Sequence, residues 1–221
     1  MKEEDDIRVR NICIIAHVDH GKTTLSDSLV SYNGIISEKL AGKIRYLDSS
    51  EEEQKRGITM QSSAITLEYT KDKTTTLPYC INLIDSPGHV DFSSEVSTAV
   101  RCADGAVVIV DVLEGIGPQT HAVLRQAWKE RLKMVLVLNK IDRLIAQVHM
   151  SPLEAGQHLT RLVEAVNVIV AQLITSDAIQ KANDTEKVIL NIVKKKKILS
   201  FLIQLKGMFF LLQLMMDGVL V

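Results

Sequence analysis

The stretch Ala16-His17-Val18-Asp19-His20-Gly21-Lys22-Thr23 restricts this chain more than any other. An apolar run of strand length, Asn11-Ile12-Cys13-Ile14-Ile15, precedes it, and 24–30 has helical character. A small residue, four variable ones and Gly-Lys-Thr between a strand and a helix make a P-loop. Its backbone N–H groups turn inward on phosphates, and the helix start adds unpaired N–H groups and the positive end of its dipole. In that reading Asp19, His20, Gly21, Lys22, Thr23 and Thr24 surround a nucleotide's phosphates. Lys22 reaches the β- and γ-phosphates, and the Thr23 hydroxyl holds Mg²⁺. Gly21 lets the backbone pass close. Eight residues alone leave open a chance Gly-Lys-Thr in a turn, and the rest of the chain decides.

Strand-like runs at 10–17, 64–69, 79–85, 105–111 and 134–139 alternate with helix-like runs at 22–32, 92–102, 118–131 and 152–175. Ala106-Val107-Val108-Ile109-Val110 and Met134-Val135-Leu136-Val137-Leu138 are unbroken apolar runs, as expected of strands covered on both faces. The alternation predicts an α/β fold with a mostly parallel sheet and helices on both faces. Ligands then sit at the carboxyl ends of the strands, where every polar motif of the chain falls.

At 221 residues the chain has room for one sizeable domain. A formal net charge of −1 supplies no general basic excess, so any nucleic-acid or ribosome contact has to be local. Cys13, Cys80 and Cys102 are odd in number and show no paired spacing, which fits a reduced, cytoplasmic protein better than a disulfide scaffold or a zinc site. Residues 1–6 are acidic and lack an apolar core, unlike a signal peptide.

Three further motifs follow the P-loop. Residues 33–60 form a long polar connection that ends in Arg56-Gly57-Ile58-Thr59. A mobile loop of this kind closes over a nucleotide, and Thr59 then completes the Mg²⁺ shell and senses the γ-phosphate. A plain surface loop is the alternative. In Asp85-Ser86-Pro87-Gly88-His89, Asp85 ends a strand and can reach Mg²⁺. Gly88 can offer its N–H to the γ-phosphate, and His89 lies where an attacking water is positioned. In Asn139-Lys140-Ile141-Asp142, the Asp142 carboxylate can accept two parallel bonds from guanine N1–H and its 2-amino group. Adenine offers neither donor, so discrimination can reach about 10⁴-fold. The three polar motifs read together make His89, Lys22 and Thr59 the candidate catalytic residues for hydrolysis of GTP to GDP and phosphate.

These motifs resemble those of the translational GTPases. The stretch from Asn33-Gly34-Ile35-Ile36-Ser37 through Asp48, then Glu53-Gln54, the run 56–64, Phe92-Ser93-Ser94-Glu95-Val96 and Pro118-Gln119-Thr120 resemble one branch in particular. That branch is the elongation factor-like GTPases related to elongation factor two, and the resemblance covers roughly 8–178. It implies action late in cytoplasmic maturation of the large ribosomal subunit. It implies as partners that subunit and its RNA, an SBDS-type cofactor protein and an anti-association factor to be released, with no membrane. It also implies Asp19 as a ligand to a monovalent cation such as K⁺, and a His89 oriented by ribosomal RNA.

The sequence divides into an acidic segment at 1–9, a GTP-binding unit at 10–180 and a tail at 181–221 that departs from the family. The family's Ser-Ala strand end, which covers the guanine base, is missing from that tail. In its place stand four lysines at 194–197 and an apolar stretch at 198–221. A solvated basic run with a core helix, a membrane anchor and a frame change are the three readings. Lys206 interrupts the apolar stretch, and 208–216 is too short to span a bilayer. One base earlier, the codons of Met215-Met216-Asp217 must encode Asp-Gly, and lysines written AAG become a Glu run. We therefore expect a frame change after about residue 190, an open sheet edge beside 134–138, and poor solubility for the chain as written.

Overall fold

The computed structural model describes residues 9–70, 79–181 and 199–203. The chain runs β1 (Val9–Ala16), α1 (Lys22–Tyr32), α2 (Glu51–Arg56), β2 (Ser63–Tyr69), β3 (Tyr79–Asp85), a 3₁₀ turn (Val90–Phe92), α3 (Ser93–Arg101), β4 (Gly105–Asp111), α4 (Pro118–Lys129), β5 (Lys133–Asn139), α5 (Asp142–Ala146), α6 (Pro152–Lys181) and β6 (Leu199–Ile203). Six strands form one sheet in the order β2-β3-β1-β4-β5-β6. All neighbours pair in parallel except β2 and β3. The α/β expectation holds.

Strand alternation divides the core. Ile12 and Ile14 of β1 face one side with Leu25, Leu29 and Val30 of α1, Val107, Ile109, Val135 and Val137. Cys13 and Ile15 face the other with Val100 of α3, Val108, Leu124 of α4, Leu136 and Val166 of α6. Successive side chains of a strand point to opposite faces, so a strand buried on both must be apolar at every position. β4 meets that demand over its whole length. Burial also pushes the Cys13 thiol up to about 12, which leaves it an inert core group.

The connection at 33–60 is more ordered than its polarity predicts. It contains α2, started by a capping box in which the Ser50 hydroxyl accepts the Glu53 N–H at 3.1 Å and the Glu53 carboxylate accepts the Ser50 N–H at 3.1 Å. Ser-x-x-Glu before a helix is a readable signature that the charged run obscured. Glu53 is buried and also accepts the N–H groups of Met60 (2.8 Å) and Gln61 (3.0 Å). Burial opposes its ionisation, but the N–H groups of Gln61, Met60 and Ser50 outweigh that and hold the carboxyl below its ordinary range.

α6 extends beyond its expected end. By length and composition alone its stretch Pro152–Asp177 could cross a membrane. Here Ala155, Val166, Ile169 and Val170 join the core, and Trp128 Nε1 of α4 donates to Asp177 Oδ2 at 2.8 Å.

The expected open edge is corrected. β6 lies parallel to β5, with Met134 opposite Leu199 and Leu138 opposite Ile203. β5 therefore has a partner on each side, and the sheet's free edge moves outward by one strand. The four lysines and the stretch 208–216 lie outside the described residues. Successive N–H groups of a strand point to opposite sides, so of Phe201→Pro and Leu202→Pro one must remove a bond to β5. That variant should lose about 3 kcal/mol and the other clearly less. Chemical denaturation of the two checks this, and unchanged stability in both would exclude β6 from the sheet.

Candidate functional site

The carboxyl ends of β1, β3, β4 and β5 open into one cavity of about 510 Å³, lined among others by Asp19, Gly21, Lys22, Thr23, Thr24, Thr59, Gly88, His89 and Lys140. The P-loop, the end of the 33–60 connection and the turn after β3 therefore converge. Gly21 begins α1 at a φ of +97°, and a Cβ there would come within 2.3 Å of Asn139 Nδ2. Glycine is needed at this position for both conformation and space.

His20 does not aim its side chain at the cavity. The ring is buried, with Nε2 3.1 Å from Glu114 Oε2 and Nδ1 3.3 Å from the Asp111 N–H. Nδ1 also lies 3.3 Å from the Ile109 carbonyl: a neutral ring with Nε2–H donating to Glu114 lets Nδ1 accept from Asp111, and only a protonated ring could donate to Ile109 as well. Burial, the largest influence, holds the imidazole below its ordinary pKa. His20 thus pins the P-loop to the end of β4, and only its backbone is left for phosphate. His17 Nδ1 meets Gln119 Oε1, while Gln119 Nε2 donates to the Gly88 carbonyl. Gln119 ties the P-loop to the turn after β3, a bridge that only its place in Pro118-Gln119-Thr120 could have suggested.

Lys22 is 7% exposed, and its ammonium lies 3.5 Å from the His17 carbonyl. Burial lowers its pKa, and the carboxylates of Asp85, Asp19 and Asp48 oppose that. Asp85 is fully buried, and neither carboxylate oxygen makes a well-formed hydrogen bond among the described residues, although the Ser26 hydroxyl and the Ser86 N–H lie near enough to favour its ionised form. Burial raises its pKa to about 7 against the pull of Lys22. Thr23 Oγ1 lies 3.2 Å from Thr59 Oγ1, and Thr59 Oγ1 donates to Asp48 Oδ1 at 2.8 Å. The Asp85 carboxylate and the Thr23 and Thr59 hydroxyls are hard oxygen donors of the kind that suits Mg²⁺. No cluster of three or more His, Cys, Asp or Glu groups occurs among the described residues. A metal here would draw its remaining ligands from phosphate and water, as Mg²⁺ does at nucleotides.

His89 lines the cavity on its outer side. Its side chain is 45% exposed, with Nδ1 3.2 Å from Asp91 Oδ2 and the ring edge-on to Phe92. At β5, Asn139 Nδ2 donates to the His20 carbonyl at 2.9 Å, and its Oδ1 accepts the Lys140 N–H at 2.9 Å. Lys140 Nζ donates to the Asp19 carbonyl and lies 2.7 Å from Asp111 Oδ2. Burial opposes the ionisation of Asp111, but Lys140 and the Leu113 N–H hold it below the usual carboxylate range. These two side chains brace the P-loop, beside the position the motif gives them for a base. Asp142 opens α5 and is exposed, and its carboxylate carries no hydrogen bond among the described residues.

Residues 7–212 match the model of the elongation factor Tu GTP-binding domain, a span that includes β6. The chain is 57% identical over 184 residues to elongation factor-like GTPase 1 of Homo sapiens, covering 83% of this chain and 16% of that protein. It is 54% identical over 189 residues to ribosome assembly protein 1 of Schizosaccharomyces pombe, covering 83% and 19% respectively. Elongation factor 2 of Methanosarcina acetivorans is 50% identical over 169 residues, covering 76% and 23%. The chain thus spans less than a quarter of the length of each of these relatives. On this match and on a P-loop set against a buried strand-end aspartate, the chain belongs to the family of elongation factor Tu-type GTP-binding domains.

Proposed function

We propose that this chain is the GTP-binding and GTP-hydrolysing part of a ribosome-associated GTPase that acts in cytoplasmic maturation of the large ribosomal subunit. The observation that carries the nucleotide reading is the buried Asp85 carboxylate, which lacks a well-formed hydrogen bond among the described residues and feels the charge of the P-loop Lys22. Isolated buried charge is costly, and a metal–triphosphate removes the cost by supplying the missing partners. Lys22 holds the β- and γ-phosphates, and Thr23, Thr59 and Asp85 hold Mg²⁺. The metal would neutralise charge that develops on the phosphate oxygens. Gly88 offers its N–H to the terminal phosphate, His89 positions the water and Asp142 reads guanine. Asp19, exposed at the cavity mouth, supplies a carboxylate to a monovalent cation such as K⁺.

The finer role rests on likeness. Among the relatives above, those named for ribosome assembly and elongation factor-like GTPase activity are more similar than the elongation factor 2 protein. In this reading ribosomal RNA orients His89, and turnover, together with an SBDS-type cofactor, releases an anti-association factor. Translation elongation is the second reading, favoured by the 50% identity to elongation factor 2. The tail after about residue 190 is read as a frame change on its forced Asp-Gly.

Asp142→Asn should weaken GTP binding by about 1–3 kcal/mol and shift preference toward xanthosine nucleotides, whose carbonyl accepts from the new amide. Fluorescent-nucleotide titration decides, and unchanged GTP affinity would remove Asp142 from the base site. His89→Ala should leave GTP affinity nearly intact and lower single-turnover hydrolysis stimulated by large subunits by about 10²-fold. Normal stimulated turnover in that variant would end the assigned role.

Asp85 also makes metal binding pH-dependent. With its pKa near 7 before loading, the carboxyl is largely protonated below that value and ionised above it. Mg²⁺ must displace the proton, so Mg·GTP affinity should rise as pH rises toward about 7 and level off above it. Calorimetry at a pH below that value, in buffers of different ionisation enthalpy, should register proton release. Binding that releases none would mean Asp85 is already charged or not a ligand.

A further inference from the structure

Arg45 adopts a backbone conformation that few non-glycine residues take, with φ at +47°. The fully buried Asp27 of α1 fixes it there. Asp27 Oδ2 accepts the N–H groups of Gly42 and Arg45, each at 3.1 Å, and Oδ1 accepts that of Tyr46 at 2.8 Å. α1 starts at the P-loop, so this carboxylate ties the Arg45 backbone to the phosphate-binding element.

The guanidinium is oriented as firmly as the backbone. Nε donates to Asp48 Oδ2 at 2.5 Å, and Nη1 donates to the Gly57 carbonyl at 2.6 Å. A guanidinium has five N–H donors in a rigid fork. Two are engaged, and Nη2 has no partner among the described residues. Arg45 lines the same cavity as Lys22, Thr59, Gly88 and His89. Asp48, which holds the guanidinium, also accepts the Thr59 hydroxyl. Arg45 and the metal-binding threonine are therefore set by one carboxylate. Two cations turned into one cavity repel each other, and the charge of Arg45 does act against that of Lys22. A polyanion between them turns the repulsion into attraction on both sides.

We propose that Arg45 is a second phosphate-binding cation supplied by the chain itself, which lays its free N–H groups on the terminal phosphate of bound nucleoside triphosphate. This rests on the reading of the cavity as a GTP site. Arg45 forms no covalent bond. It donates hydrogen bonds to oxygens whose negative charge grows as water attacks the γ-phosphorus and the bond to the β-phosphate oxygen breaks. Lys22 approaches from the P-loop and Arg45 from the connection that closes over it. The diphosphate lacks the group that Arg45 touches, so the residue discriminates between the two nucleotides.

The test compares the full chain with Arg45→Ala and Arg45→Lys, using Mg²⁺ with a non-hydrolysable GTP analogue and with GDP. Arg45→Ala should lose about 10-fold or more in affinity for the analogue and stay within about twofold for GDP. The ³¹P resonance of the γ-phosphate should move in that variant while the α-phosphate stays. Arg45→Lys keeps the charge without the fork and should recover part of the affinity. Added guanidinium ion should restore binding to Arg45→Ala. Equal losses for both nucleotides with a lower melting temperature would make Arg45 a scaffold for Gly57 and Asp48, and would overturn the proposal. Unchanged analogue binding would overturn it too. A wild-type chain that binds neither nucleotide overturns the GTP-site reading, and the proposal falls with it.

Discussion

The structure depends on a carboxylate that the fold buries and does not satisfy. Asp85 sits at the end of β3, with the charge of Lys22 acting on it and no well-formed hydrogen bond to either oxygen among the described residues. Burial disfavours the charged form of both groups, and their opposite charges offset part of that cost. The tightly packed sheet supplies the stability that lets such a site persist. The end of β3 is thus one place where the chain leaves polar groups incomplete without opening its core, and the buried Thr120 hydroxyl of α4 is another among the described residues.

A second set of buried carboxylates works in the opposite sense. Asp27 and Glu53 are each satisfied by three backbone N–H groups, and the Ser50 hydroxyl accepts the Glu53 N–H in return. Together with Gln54, whose amide reaches the carbonyls of Ile44, Arg45 and Asp48, they replace an apolar core for the connection between α1 and β2. A segment built this way keeps its shape by directional bonds and buries little apolar surface. Such bonds exchange with water at small net cost, so the segment can reorganise while the sheet beneath it stays intact.

The sheet was legible because strands covered on both faces must be apolar at every position, and 106–110 and 134–138 are. The site was legible because phosphate, metal and base each demand a fixed residue type at a strand end. What composition hid was polar structure. The α2 helix lies in a run of charges that reads as loop, although Ser50 and Glu53 announce its start. The side-chain contacts of His20 with the end of β4, and of Asn139 and Lys140 with the P-loop, were not legible, because a motif gives a residue's position and not the direction of its side chain. Arg45 lay inside the stretch 33–48 that carries the family resemblance but had no role assigned there, and only the fold brings it to the same cavity as Lys22. β6 was missed because its partner lies so far back along the sequence.

That separation has a consequence for how the domain is made. β5 ends at Asn139 and its outer partner begins at Leu199. Long loops cost chain entropy before their contacts return any energy, so this pairing belongs to the late part of folding. A polypeptide leaving the ribosome exposes its amino-terminal half first. β1, β3 and β4, with the P-loop and Asp85, can assemble while the last strand is still being synthesised. The phosphate half of the cavity is thus built before the guanine half is flanked. During that interval the chain carries a nearly finished triphosphate cradle with one bare strand edge, and an early ligand would act on it as a folding template.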